Sequence, residues 1–400
     1  MWWIVGVVLA VVLLLSLASL ANAWQLRGFG RSLIDPGQPR PEDVLPTSVI
    51  IPCKGDDGRL LENLESVLGQ EHLDIEFVLV TATEDDPARS VFTELERRHP
   101  CKRIRSVVAG LRTDCSQQNN NQVAGVAAAD PRSEVLVIMD SDGRADRHFV
   151  ARLVAPLSDP GVGAVSGFRW YQPRWSSLAD VLRTAWNAGG FAFIINPRAG
   201  FVWGGAMAVR RSVYEKAGIA EIWGRSLSDD MTLSRKLRSL GLVMRFVPRC
   251  IVISREQDNL RSVVSWTNRQ TLVTRFYNRP FWLMATVFHG MGNLLGWGLL
   301  VTGAAATMTG PTPASAAALL GGGLWVGHLW LMAALMLDPL GRLLRPLGID
   351  LGARGWFLVM TAPLASLLQG MNSFNSLLTR RIRWAGVTYE IYGSERMQVV

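Results

Sequence analysis

The run Val135-Leu-Val-Ile-Met139 leads into Asp140-Ser141-Asp142. Its apolar residues predict a buried strand, and on an extended chain positions i and i+2 project to the same side. The two carboxylates therefore converge at the strand's carboxyl end. Hard oxygen ligands of this kind suit Mg²⁺ or Mn²⁺, which can bridge to substrate phosphates and neutralise a departing diphosphate. A second acidic step, Ser228-Asp229-Asp230, precedes a helical pattern carrying Met231, Leu233, Leu237 and Leu240. Acids in a first helical turn are favoured by the helix dipole alone, so this pair acquires a chemical meaning only from its context.

The elements that must hold these acids are legible upstream. Strand-like runs at 48–52, 76–81, 104–108 and 135–139 alternate with helical stretches at 60–69, 88–98, 118–128 and 147–157. Strand and helix in alternation predict a parallel sheet covered on both faces. Such a sheet binds its ligand beyond the carboxyl ends of its strands. The loops there carry Pro52-Cys53-Lys54-Gly55 and Glu84. Further along stand Gly204-Gly205, Arg210-Arg211, and Trp266-Thr-Asn-Arg269-Gln270 within another predicted helix.

Apolar residues make up 49% of the 400-residue chain and charged ones 18%, which excludes a disordered chain. No charge falls within residues 1–26 or 280–337. Residues 2–24 are long enough to cross a ~30 Å hydrocarbon core and have Trp2, Trp3 and Trp24 at the ends, as membrane anchors do. A cleaved signal peptide is disfavoured by the missing basic n-region and by Arg27 and Arg31 on the far side. Those arginines place the amino terminus outside and the following chain inside. The organisation expected is an anchor at 1–26, a linker at 27–46 and an α/β domain at 47–279. A membrane region at 280–378 and a tail at 379–400 follow. Within the membrane region, 280–337 forms a hairpin broken at Gly310-Pro311-Thr312-Pro313. The stretch 355–378 is ambiguous, because arginines flank it on both sides. The net charge of +8 is explained by membrane-flanking arginines, not by nucleic acid. Cys53, Cys101, Cys115 and Cys250 have neither zinc-site nor disulfide spacing.

Together these motifs resemble the family 2 inverting glycosyltransferases of GT-A fold, in particular their membrane-bound ceramide glucosyltransferase-like and hopanoid-associated branch. The resemblance covers residues 47–279 and the tail motif Arg383-Trp384-Ala-Gly-Val-Thr-Tyr389. It implies a mostly parallel sheet with flanking helices, and transmembrane helices at both ends. It implies that Pro52, Lys54, Gly55 and Glu84 border the nucleotide, with Asp140 closing its side and Asp142 holding the metal. Asp230 becomes the general base, with Asp229 beside it, since an attacking acceptor hydroxyl must lose its proton. The family's Gln/Arg-x-x-Arg-Trp motif is altered here. Trp266 fits its tryptophan, but Ser262 and Ser265 replace the polar and basic residues. Arg269, four residues past Ser265 on the same helix face, can supply the missing charge, and Arg261 is a second candidate.

The implied activity is transfer from a UDP-sugar to a membrane-lipid hydroxyl, by a multi-pass protein of the inner membrane with its catalytic domain in the cytoplasm. A polyprenyl-phosphate acceptor and a non-catalytic nucleotide-sugar-binding scaffold are the rival readings. Trp170, Tyr171 and Trp175 form an aromatic group that either stacks on sugar or packs. His148, His289 and His328 receive no role.

Overall fold

The computed structural model describes residues 2–33, 45–71, 74–195 and 201–400. Residues 34–44 of the expected linker, 27–46, lie outside the described residues. In chain order the elements are α1 (Trp2–Ser32), β1 (Thr47–Pro52), α2 (Leu60–Leu68), β2 (Ile75–Thr81), α3 (Ala88–Arg98), β3 (Arg103–Val108), α4 (Gln117–Ala128), β4 (Val135–Met139) and α5 (Phe149–Val154). There follow β5 (Val162–Tyr171), α6 (Leu178–Ile194), β6 (Ala206–Arg210), α7 (Arg211–Lys216), α8 (Ile219–Trp223), α9 (Asp229–Ser239), β7 (Val243–Ser254) and α10 (Leu260–Tyr277). The chain closes with α11 (Arg279–Ala285), α12 (Gly292–Thr309), α13 (Pro313–Leu344), α14 (Gly355–Leu378), β8 (Arg381–Trp384), β9 (Val387–Gly393) and β10 (Arg396–Val399). They form two compact units. One is built on sheets from residues 33–172, 193–256 and 381–400, the other on helices from 1–32, 173–192 and 257–380.

The sheet unit holds seven strands in the order β3-β2-β1-β4-β6-β5-β7. β1 to β4 pair in parallel, as do β5 and β7, while β6 runs antiparallel to both β4 and β5. The sheet is thus mostly parallel, as expected, with one reversed strand that the sequence pattern did not single out. Alternate residues serve opposite faces, because strand side chains have a period of two. Val49, Ile51, Phe77, Leu79 and Val137 pack with Leu64, Phe92 and Phe149. Ile50, Val78, Val80, Leu136 and Ile138 pack with Val126, Trp223 and Leu233 on the other face. Gly125 lets α4 lie close to that second face, since a Cβ there would stand 2.5 Å from Ile50 Cγ2.

The tail does not leave this unit. β8, β9 and β10 form an antiparallel meander. Tyr389 Oη accepts from the Gln117 amide at 3.4 Å, and the Val399 amide donates to Thr113 O at 3.1 Å. Glu395 pairs with Arg225 at 2.8 Å and Arg235 at 2.6 Å.

In the helical unit, α1 continues to Ser32, past the expected anchor end at Leu26. Among the described residues three helical segments are long and apolar enough to cross a membrane: Val5–Ser32, Arg279–Thr309 and Pro313–Leu347. Gly292 and Gly296 make room for Trp325, whose ring would lie 2.2 Å from a Cβ at either position. Small residues at such crossings let membrane helices approach. Trp325 Nε1 donates to Asn293 Oδ1 at 2.9 Å, and Asn293 Nδ2 donates to Ser366 Oγ at 2.9 Å. His289 and His328 join these packing contacts through Ser366 and Ser16. α14 buries Asn372, Ser373 and Ser376 and exposes Trp356, Phe357 and Met371. Its buried face is therefore the polar one and its exposed face the apolar one.

Candidate active site

β4 delivers Asp140 and Asp142 at its carboxyl end. The Asp140 amide donates to Gly205 O at 3.1 Å, tying this end to the start of β6. Gln118 Nε2 reaches Asp140 Oδ1 at 3.2 Å. The dominant neighbour is Arg169, on β5. Its Nη2 lies 2.9 Å from Asp140 Oδ2 and also contacts Asp142 Oδ1, while Nη1 lies 2.9 Å from Asp142 Oδ2. Glu256 Oε1 stands 3.6 Å from Nη1. The guanidinium is buried and faces the rings of Tyr171 at 5.4 Å and Trp203 at 5.3 Å. Burial opposes its charge, yet Asp142, Tyr171 and Asp140 outweigh that and hold its pKa well above the ordinary value.

The second acidic pair opens α9. Ser228 caps the helix by accepting from the Met231 amide, and its hydroxyl donates to Asp230 Oδ1 at 2.6 Å. Asp230 also accepts from the Met231 amide at 2.6 Å and from the Gly204 amide at 3.2 Å. Asp229 is buried and accepts from Gln122 Nε2 at 2.7 Å. Trp223 Nε1 fixes its carbonyl at 3.1 Å. Burial, then the charge of Asp230, then the more distant Asp140 push the Asp229 pKa up to about 7. Burial raises Asp230 too, opposed by the donors on its carboxylate, Ser228 first. The two titrate as a pair. Asp230 is less buried than Asp229 and its oxygens are met by donors that favour the ionised form, so it is the better proton acceptor.

The two pairs meet across Gly204-Gly205. A Cβ on Gly204 would fall 2.8 Å from Asp229 Oδ1, and one on Gly205 2.6 Å from Asp140 Oδ2 and 2.0 Å from the Trp203 ring. Any larger residue would wedge the pairs apart. α4 spans the same seam from the other side. Gln118 and Gln122, four residues apart and so on one face, touch Asp140 and Asp229 respectively.

A family model described as "Glycosyl transferase family 21" matches residues 5–397. The chain belongs to glycosyl transferase family 21. The match agrees with the resemblance as far as a glycosyltransferase family, under family 21 in place of family 2. Among solved structures, the mannosyltransferase PcManGT from Pyrobaculum calidifontis, in complex with GDP-Man and Mn²⁺, is similar at 19% identity and a TM-score of 0.57. The alignment covers 91% of this chain and 99% of that one. Glucosyl-3-phosphoglycerate synthase from Mycobacterium tuberculosis aligns with 58% of this chain and 78% of its own, at 18% identity and a TM-score of 0.37. The first of these shows a shared GT-A-like fold.

The remaining expected positions of the transferase divide between the units. Pro52 ends β1, and Lys54 Nζ donates to Ala385 O in the β8–β9 turn. Gly55 adopts φ 66° and its amide donates to Asp86 Oδ1 at 2.8 Å. Glu84 is exposed and paired with Arg89 at 2.9 Å, so the acid that touches the β1 loop is Asp86. Trp266 and Arg269 lie on α10 in the helical unit. The Trp266 ring packs edge-on against Trp186 at 5.0 Å and under Arg183 at 4.9 Å. The aromatic group does not act as one. Trp170 is buried in the sheet unit with Nε1 on Gln172 at 3.0 Å, Tyr171 faces Arg169, and Trp175 contacts Phe357 in the helical unit. Arg169, Trp203 and Gln122 were missed as site residues. Arg169 had a faint signal, being a lone charge in the apolar run 162–171.

Proposed function

We propose that the transferase moves a sugar, with inversion, from a UDP-sugar to the hydroxyl of a membrane lipid of ceramide-like type. The observation that carries this reading is the seam at Gly204-Gly205, where the donor-side acid Asp140 approaches the acceptor-side pair Asp229 and Asp230. Asp230 takes the acceptor hydroxyl's proton as that oxygen bonds to the anomeric carbon. The bond to the diphosphate breaks in the same step, and UDP leaves with its electrons. Trp203 and the buried sheet floor hold the sugar side dry. Arg269 is assigned to the leaving diphosphate and Trp266 to the acceptor side of the nucleotide. The intact acid set argues against a scaffold.

Mg²⁺ or Mn²⁺ is the expected cofactor at Asp142 and Asp140. The oxygen donors are of the right chemistry, but the arrangement does not fit an ion, because Arg169 covers both oxygens of Asp142 and one of Asp140. Among the described residues no cluster of three or more acidic, His or Cys side chains stands ready for a metal. No step above passes through an ion.

Two crossings are assigned to 279–309 and 313–347, and one to α1. The sheet unit is left after Glu256 and re-entered at Arg381. The chain between must therefore cross the bilayer an even number of times, and α14 lies along the interface. Arg27, Arg31, Arg342 and Arg345 support a cytoplasmic sheet unit in an inner-membrane protein. Purified transferase given UDP-glucose and lipid extract should yield a lipid heavier by one hexose in mass spectra. An unchanged lipid profile with every common UDP-hexose would refute the activity.

A further inference from the structure

The tail meander has no part in the chemistry above, yet it grips the segment that carries the second acidic pair. Glu395 stands in the turn between β9 and β10. One of its carboxylate oxygens meets Arg225 at 2.8 Å and the other meets Arg235 at 2.6 Å. Ser394 Oγ accepts from Arg235 as well, at 2.5 Å. Arg225 leads into the Ser228 cap and Arg235 lies on α9, each five residues from Asp230. One carboxylate therefore joins the two sides of the corner at which Asp229 and Asp230 stand. A cleft of about 420 Å³ opens beside that corner, lined by Gly218, Ile222 and Thr232 together with the three ion-paired residues. Glu395 thus spans a space that side-chain packing does not fill.

The meander is also fixed to the other side of the acidic pair. Tyr389 is buried, and its Oη accepts from the Gln117 amide at the start of α4. The Val399 amide donates to Thr113 O at 3.1 Å, in the loop before that helix. α4 carries Gln122, which donates to Asp229. The helix that holds Asp229 from one side and the corner that presents Asp230 are therefore tied to the same three strands.

We propose that Glu395 is a positioning residue for the proton transfer: it braces the α8–α9 corner against the tail and so aims the Asp230 carboxylate. It touches neither the acids nor the substrate. Its effect is on aim, since a misplacement of about 1 Å can cost up to about 10²-fold in rate. It adds little to stability, because ion pairs as exposed as these contribute little. The inference rests on the reading of Asp230 as the base.

Hydrogen exchange, UDP calorimetry and turnover of the full-length, detergent-solubilised chain test it together. Glu395→Gln should raise amide exchange across 226–234 and lower kcat about tenfold. Its UDP affinity and thermal unfolding should match the parent's. Glu395→Asp, which keeps the charge on a shorter arm, should recover part of the rate. Arg225→Gln should reproduce the Glu395→Gln loss. The two changes together should cost no more than either alone, as partners in one interaction do. Unchanged exchange over 226–234 in Glu395→Gln overturns the inference, with or without a loss of rate. So do parallel falls in kcat, UDP affinity and unfolding temperature, which make the tail a general support. Fully additive losses overturn it too, by separating Glu395 from Arg225. If the unmodified chain transfers no hexose, the reading of Asp230 as base fails and the role in proton transfer goes with it. The exchange comparison alone then decides whether the brace holds the corner.

Discussion

Asp140 and Asp142 are met by a buried guanidinium, while Asp229 and Asp230 are met by Gln122, Ser228 and the amides of Gly204 and Met231. The side chains are identical and the seam is shared, yet the outcomes diverge. Beside Arg169 the first pair faces a fixed positive charge. Beside neutral donors the second pair keeps a proton into the neutral range, with Asp229 raised to about 7. What differs is the charge on the nearest partner, since a buried carboxylate either finds a cation or retains a proton. One pair is thereby suited to phosphate charge and the other to proton transfer.

The sharpest way to break this comparison is Asp230→Asn, which keeps shape but cannot accept a proton. Turnover should fall about 10²–10⁴-fold, with UDP affinity from calorimetry unchanged. A variant within about threefold of the parent would leave Asp230 as a helix-start acid. Gly205→Ala attacks both pairs at once by driving a Cβ into Trp203 and Asp140. The crowding should cost roughly 1–3 kcal/mol of stability, with turnover and UDP affinity falling together. Unchanged thermal unfolding would show that the seam is looser than drawn.

Proton storage on the second pair has a pH signature. Turnover should rise through about pH 7 as the pair ionises. Asp229→Asn removes the charge beside Asp230, so the acid limb of the profile should move to lower pH; a limb that stays put assigns it elsewhere. The sign for stability follows the same group. The native Asp229 carboxyl binds its proton more tightly than the unfolded one, whose pKa is about 3.9. Its contribution is therefore lost as pH rises from there to about 7, and Asp229→Asn should flatten that slope in denaturant titrations. The smallest expected effect is at Glu84, exposed and paired only with Arg89 in what the structure records. Glu84→Gln should alter UDP affinity by less than about twofold, whereas Asp86→Asn, which loosens the Gly55 amide, should alter it more. Equal effects would restore Glu84 to the nucleotide.

The strands β1 to β4 and helices α2 to α4 were legible because their buried faces impose regular apolar periods over short stretches. The same periods put Asp140, Asp142 and the α9 acids at element ends, where a parallel sheet collects its ligands. The two long apolar helical segments Arg279–Thr309 and Pro313–Leu347 were legible from charge-free length alone. Other features depended on packing across long sequence gaps. Arg169 reaches Asp142 from 27 residues away through β5, whose neighbours are β6 and β7. No local pattern encodes that order, because pairing between distant strands is settled by the whole sheet. The tail's place in the sheet unit likewise came from contacts such as Tyr389 to Gln117, 272 residues apart. The sequence determined which side chains are acids and where each element ends. Only the tertiary structure decided which acid faces a cation and which keeps a proton, because electrostatic state depends on the few ångströms between partners and on burial that no single segment achieves alone.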